Sequence, residues 1–150
     1  MKPRFLPIVY VIVMAILMYV AAFATSTLKV SFDTQGPIAM IVFSLGVLIV
    51  LVGGYQFRMV STTISPLKPE ESTQLVTTGV YRFSRNPMYV GFLLFLLAWA
   101  VLLGSFVAVL VLPLFILIVT KVQILPEEVV LEEKFGQDYV DYKHRVGRWI

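Results

Sequence analysis

At 150 residues the chain is long enough for one domain and short for two. Hydrophobic residues make up 59% and charged residues 14%, against about 45–50% and about 25% in soluble domains; a mean hydropathy of +0.88 excludes disorder and opposes a water-soluble fold, because so short a chain has little interior in which to hide apolar surface. The net charge is +3, with no cysteine and one histidine, His144, which excludes disulfides, thiolate or multi-histidine metal sites and a cysteine nucleophile.

The first apolar run, Phe5–Ala24, has 20 uncharged residues, enough for one crossing of a bilayer core of about 30 Å. Lys2 and Arg4 before it and Ala22-Phe23-Ala24 at its end also fit a cleaved leader. The run exceeds the usual apolar length of about 7–15 residues in leaders, so a retained helix is expected. Pro37–Phe57 adds 21 uncharged residues and a second span.

The segment 58–86 is polar. Pro66 and Pro69 oppose a long helix, Gly79 marks a turn, and Asn86-Pro87 reads as a helix start with Asn86 at the N-cap and Pro87 at the first helical position. Arg82 and Arg85 oppose the dipole of the helix that follows. They read either as topology and lipid-phosphate contacts or as holders of an anion at the mouth of a site.

Met88–Thr120 has 33 uncharged residues, about 50 Å as one straight helix at 1.5 Å per residue. A hairpin turning at Gly104-Ser105 is expected, with the amine of Lys121 snorkelling to the headgroups. The C-terminal segment starts at Pro126-Glu127-Glu128, acids that suit the first turn of a helix. Leu131, Phe135, Tyr139, Tyr142 and Val146 then form one apolar stripe at helical spacing. This predicts an amphipathic helix at the interface or over the bundle, bent at Gly136, with Trp149 as an interfacial anchor.

The expected fold is all-α, a polytopic membrane helix bundle forming one domain over 1–150. Its four transmembrane helices fall at about 5–24, 37–57, 87–103 and 105–125, with cytoplasmic segments at 58–86 and 126–150. If the N-terminus is cytoplasmic, 11 of the 12 Lys and Arg lie inside and only Lys29 outside, so the positive-inside rule selects N-in and C-in. No repeat or phosphate-binding glycine loop is present, and basic residues are too few and dispersed for nucleic acid.

Three stretches together carry a resemblance: Leu75-Val76-Thr77-Thr78-Gly79-Val80-Tyr81; Arg85-Asn86-Pro87-Met88-Tyr89-Val90-Gly91; and Glu127-Glu128 followed by Leu131, Phe135-Gly136, Tyr139 and Tyr142. Over about residues 60–148 the chain resembles the isoprenylcysteine carboxyl methyltransferase family, to which the phospholipid methyltransferases are related. The resemblance implies an integral membrane enzyme that uses S-adenosylmethionine, held in a cytoplasmic cleft under the C-terminal segment. It implies that Thr73, Gln74, Leu75, Val76 and Tyr81 border the cofactor. Asn86, Pro87, Met88 and Tyr89 would contact it, and Glu127 would accept a hydrogen bond from it with Glu128 alongside.

Two departures from the family pattern bear on the chemistry. Asn86 stands where the family commonly has His, and an amide cannot titrate, which opposes a general-base role. Gln123 stands where the isoprenylcysteine enzymes carry an Arg for the substrate carboxylate. Gln123 and Arg85 are therefore the candidate substrate contacts, and no residue is singled out as catalytic. The expected acceptor is an amine, thiol or hydroxyl on a lipid or other lipophilic carrier, not a prenylcysteine carboxylate. Membrane lipids are expected neighbours; a metal or nucleic acid is not. The expected location is a prokaryotic inner membrane. The readings set against this one are an NADPH-dependent membrane reductase, since some sterol reductases share a related C-terminal fold, and a non-catalytic membrane protein that keeps the fold.

Overall fold

The computed structural model describes residues 6–60 and 74–150. Thr73, and the prolines read as breakers at 66 and 69, lie outside the described residues, as do Lys2, Arg4 and Phe5. Among the described residues the secondary structure is helical, apart from one isolated antiparallel bridge between Lys29 and Ser105.

Helix α1 (Pro7–Ala24) starts at a proline whose missing N–H is an orphan position in any helix. Its buried residues Val11, Met14, Met18 and Ala22 recur at helical spacing and face the bundle. Ile12, Val13, Ile16 and Val20 stay exposed, as expected where the solvent is lipid. α1 packs on the later helices α3 (Pro87–Leu103), α4 (Phe106–Val109) and α5 (Val111–Val119). The shared core includes Met18, Leu96, Phe115 and Ile124. The indole Nε1 of Trp99 donates to the Ala15 carbonyl at 3.1 Å and ties α3 to α1.

Helix α2 (Gln35–Val60) packs along α3. Two glycines allow the close crossing. A Cβ on Gly46 would stand 2.9 Å from the Gly91 carbonyl oxygen, and one on Gly91 would stand 2.8 Å from the Gly46 carbonyl oxygen. α2 runs past its expected end at 57 to Val60, and Gly53, Gln56 and Phe57 on it meet the loop before α3.

The turn expected at Gly104-Ser105 is present. Gly104 closes α3 at φ 58, where a Cβ would collide with the Val30 carbonyl oxygen. The Ser105 hydroxyl caps α4 by accepting the Ala108 N–H at 3.3 Å. Gln35 Nε2 donates to two carbonyls at the end of α3, Val101 at 2.6 Å and Leu102 at 2.8 Å.

The helix after the turn differs from expectation. It continues as α4, α5, a π turn (Thr120–Ile124) and α6 (Leu125–Phe135), and Phe106–Phe135 is one helical stretch of 30 residues whose apolar part is long enough to cross a membrane. Pro126 produces no break, because the π turn precedes it: the Leu125 N–H reaches back five residues to the Thr120 carbonyl. Gly136, at φ 54 and ψ −127, then separates α6 from α7 (Gln137–Arg145), at the bend read from the sequence.

Among the described residues three helices are long and apolar enough to cross a membrane: Pro7–Ala24, Gln35–Met59 and Phe106–Phe135. α3 is equally apolar and has 17 residues, about 26 Å at 1.5 Å per residue.

Candidate functional site

The site is built on the loop that leads into α3. Gly79 takes φ 60, and a Cβ there would overlap the Gln56 side chain. That allows Gln56 Oε1 to accept the Val80 N–H at 3.0 Å, and a short 3₁₀ turn, Gly79–Arg82, follows. Tyr81 is buried in this turn. Its hydroxyl donates to the Gly53 carbonyl at 3.4 Å, and its own carbonyl accepts the Tyr142 hydroxyl at 2.7 Å. The loop is thus held by α2 on one side and α7 on the other.

Asn86 occupies the N-cap position, yet its side chain makes no capping bond. The amide Nδ2 donates instead to the Arg148 carbonyl at 3.0 Å, and the Arg85 N–H donates to the Gly147 carbonyl at 3.0 Å. The C-terminal tail therefore lies against the start of α3. Trp149, expected as an interfacial anchor, packs half-buried against the bundle. Its Nε1 donates to Thr120 Oγ1 at 3.1 Å, and its ring meets Phe115 edge-on at 6.5 Å. A partly buried indole N–H favours an acceptor, and the hydroxyl at the head of the π turn supplies one.

The two adjacent glutamates have different surroundings. Glu128 accepts from Arg85 Nη1 and Arg148 Nε at Oε1, and from Arg148 Nη2 at Oε2, each at 2.8 Å. It is the centre of an ion cluster joining α6, the loop before α3 and the tail. The hydrogen bond to Glu128 also raises the Arg148 guanidinium above its ordinary value. Glu127 accepts the Tyr89 hydroxyl at 3.0 Å. Burial, and then the charge of Glu128, push the Tyr139 phenol from 10.0 up to about 12, against the lowering effect of Arg85 and Arg148. Burial likewise raises Tyr81 and Tyr142.

Between these groups lies a cleft whose inner volume is about 60 Å³ and which opens to the surface. Of the expected site residues, Gln74, Leu75, Val76, Tyr81, Arg85, Asn86, Glu127 and Glu128 line it. Four others do not. Pro87 and Met88 face α2 beside Gly53. Tyr89 is buried in the core and reaches Glu127 from behind. Gln123 is fully buried in the π turn, where its neighbour Ile124 lines the cleft instead.

The lining also includes Phe57, Leu131, Phe135, Tyr139 and Tyr142. The last four belong to the apolar stripe of the C-terminal segment, so that stripe covers the cleft. Its periodicity was the available signal. Phe57 had none, being one more apolar residue in a span. Arg148 had none either, because a cation near a terminus reads as solvated. The arrangement offers one apolar and aromatic wall, a carboxylate held by a tyrosine, and a partly buried cationic cluster. Among the described residues no group of three or more His, Cys, Asp or Glu is placed to hold a metal.

Comparison with known proteins adds the following. The family model described as phospholipid methyltransferase matches residues 35–138. A protein of Haemophilus influenzae described as uncharacterized is 48% identical over 63 residues, covering 42% of this chain and 100% of that protein. A protein-S-isoprenylcysteine O-methyltransferase of Schizosaccharomyces pombe is 39% identical over 76 residues, 51% of this chain and 32% of that protein. The enzyme of the same description from Saccharomyces cerevisiae is 35% identical over 113 residues, 69% of this chain and 46% of that protein. The chain thus spans less than half the length of these two methyltransferases.

Proposed function

Since this chain belongs to the phospholipid methyltransferase family, we propose that it is an integral membrane methyltransferase that takes the methyl group of S-adenosylmethionine and delivers it to a lipophilic acceptor. One observation carries the reading. The loop 74–86 and the Glu127-Glu128 pair, far apart in sequence and both inside the matched region, line the same cleft.

The residues present fit that cofactor. Phe57, Leu75, Val76 and Leu131 give an apolar wall suited to an adenine face, and tyrosine faces suit a sulfonium cation. The Glu127 carboxylate, held by Tyr89, would accept from the cofactor's ammonium group. Gln74 and Asn86 add neutral polar groups at the lining. Tyr81 and Thr73 would complete the border, with Pro87, Met88 and Tyr89 backing the wall. Ligand pockets run to about 300–1,000 Å³, so a ligand of that size takes up the mouth as well as the inner cleft.

Bound there, S-adenosylmethionine supplies an electrophilic methyl that needs neither a metal nor a covalent enzyme intermediate. The chain's own residues align the acceptor with that methyl and exclude water from it. Asn86 carries no titratable proton, so it orients and does not act as a base.

In the membrane we propose four spans with both termini cytoplasmic, α3 crossing as the shortest. The lysine and arginine asymmetry supports this orientation, and a prokaryotic inner membrane is the proposed location. For the acceptor we propose an amine, thiol or hydroxyl on a lipid or other apolar carrier. Gln123 offers no charge for a carboxylate and lies away from the cleft lining. The family membership does not favour the reductase alternative.

Calorimetry in detergent with S-adenosylmethionine and NADPH in parallel tests the cofactor. Binding of the first alone is expected, and binding of NADPH alone would overturn the reading. Methyl transfer to lipid amines, thiols and hydroxyls beside a farnesylated cysteine analogue tests the acceptor. Efficient methyl-ester formation on the farnesylcysteine would overturn that part.

A further inference from the structure

The Arg85–Glu128–Arg148 cluster holds two guanidiniums and one carboxylate. The Arg148 fork takes both oxygens of Glu128, and Arg85 shares one of them. The negative charge of Glu128 is therefore divided between two cations, and the cluster keeps one surplus positive charge. The side chains of Arg85 and Glu128 are each 8% exposed. Arg85 Nε is buried with no hydrogen-bond partner among the described residues. A buried guanidinium without full compensation is unfavourable unless another anion completes it.

Arg85 lines the cleft, and so does Glu127. A cation surplus and a separate carboxylate on one cleft wall are the complement of a zwitterion: the ligand's carboxylate meets the guanidinium and its ammonium meets the glutamate. We propose that the Arg85–Glu128–Arg148 cluster is the subsite for the α-carboxylate of a ligand's amino-acid moiety, with Arg148 a positioning residue that keeps the charge of Arg85 available by occupying Glu128. This rests on the reading of S-adenosylmethionine as cofactor and deepens it. Arg148 lies beyond the region 35–138 that the family model matches. Arg148 takes both Glu128 oxygens, so Arg85, which lines the cleft, shares its counter-ion and is not fully neutralised by it. The surplus is used by the cofactor, which leaves none for an acceptor carboxylate.

The main chain around Arg148 is held independently of its side chain, by Asn86 on its carbonyl, Arg85 on the Gly147 carbonyl and Trp149 on Thr120. A substitution at 148 is expected to leave those contacts in place, since none of them uses its side chain. The test compares two ligands by calorimetry on the full chain in detergent: S-adenosylhomocysteine, which has the amino-acid end, and 5′-methylthioadenosine, which lacks it. Arg148→Gln should weaken S-adenosylhomocysteine about tenfold or more, the loss of one ionic hydrogen bond, and leave 5′-methylthioadenosine within about threefold. Arg148→Lys, which restores the charge without the fork, should recover most of the loss. Equal weakening of both ligands would assign Arg148 a merely structural role and overturn the proposal.

Should Arg148→Gln not fold, the wild-type protein serves alone. Decarboxylated S-adenosylhomocysteine should then bind about tenfold weaker than the parent compound, and equal affinity would overturn the proposal. If Arg148→Gln weakens an acetylated farnesylcysteine but not S-adenosylhomocysteine, the subsite belongs to the acceptor and the proposal is overturned. Wild-type protein that binds none of these ligands would overturn the cofactor reading and this proposal together. Wild-type binding with an unchanged ligand ratio in Arg148→Gln would overturn this proposal alone.

Discussion

Glu127 and Glu128 are neighbours in sequence, and replacing each by Gln should produce opposite defects. Glu128 neutralises the buried end of Arg85 and both prongs of Arg148, with three hydrogen bonds of 2.8 Å. Glu128→Gln keeps the shape but leaves two guanidiniums facing a neutral amide. Breaking a buried ion pair by removing one partner costs about 3–5 kcal/mol. The Arg148 side chain is 35% exposed, so water screens part of this and the lower end, about 3 kcal/mol, is expected. In a chain of this size that lowers Tm by about 6–12 °C. Glu127 instead has the Tyr89 hydroxyl at 3.0 Å, and an amide oxygen can accept that bond as well. Glu127→Gln should therefore lower Tm less than Glu128→Gln does. It removes the charge offered to the cofactor's ammonium, worth about 1.5–3 kcal/mol, so S-adenosylmethionine should bind about 10- to 150-fold more weakly. Thermal unfolding followed by tryptophan fluorescence and calorimetric binding, in one detergent, measure both. A Glu127→Gln protein with wild-type affinity, or a Glu128→Gln protein with wild-type Tm, would refute the division of roles.

Gly91→Ala puts a Cβ 2.8 Å from the Gly46 carbonyl oxygen at the α2–α3 crossing and should cost about 1–3 kcal/mol, whereas Gly54→Ala, with nothing within 4 Å of the new Cβ, should melt at or above wild type; one pair of melting curves decides it. Burial raises the phenols of Tyr81, Tyr139 and Tyr142 above 10.0, Tyr139 to about 12. Because the folded values are raised, the stability these neutral phenols contribute is full below about pH 10 and is lost as pH climbs through about 12. Phenolate absorbance at about pH 11 should show three tyrosines still neutral in the folded protein that ionise on unfolding. Reporter fusions at Val30 and at the C-terminus should fall on opposite sides of the membrane, and finding both on one side would contradict the four-span, N-in arrangement.

Much of the fold was legible because apolar run length and turn chemistry are local properties. The 20 uncharged residues before Thr25 and the Gly104-Ser105 turn needed no tertiary information. The π turn at Thr120–Ile124 did. Its backbone adjustment depends on how Phe106–Phe135 packs against α1 and α3, and a proline in sequence signals a kink whether or not one forms. In the site, the paired glutamates stood out as a motif, but their separate environments did not. Which glutamate meets the arginines depends on where the tail lies, and the tail is placed by Asn86 Nδ2, the Arg85 N–H and Trp149 Nε1. Each of these reads locally as something else: an N-cap, a topology signal and an interfacial anchor. Gln123 illustrates the same limit, since its spacing of four from Glu127 suggests a shared face on a regular helix, and the π turn intervenes.

The central claim is methyl transfer from S-adenosylmethionine to a membrane-borne acceptor, and the most direct measurement follows the label. The purified protein, reconstituted in vesicles made from bacterial lipid extract, is incubated with methyl-labelled S-adenosylmethionine, and the organic-extractable fraction is counted. The account predicts label in that fraction that grows with time and protein and falls at least about tenfold in Glu127→Ala. Label that stays wholly in the aqueous phase while the protein binds S-adenosylmethionine, or equal transfer by Glu127→Ala and wild type, would contradict it.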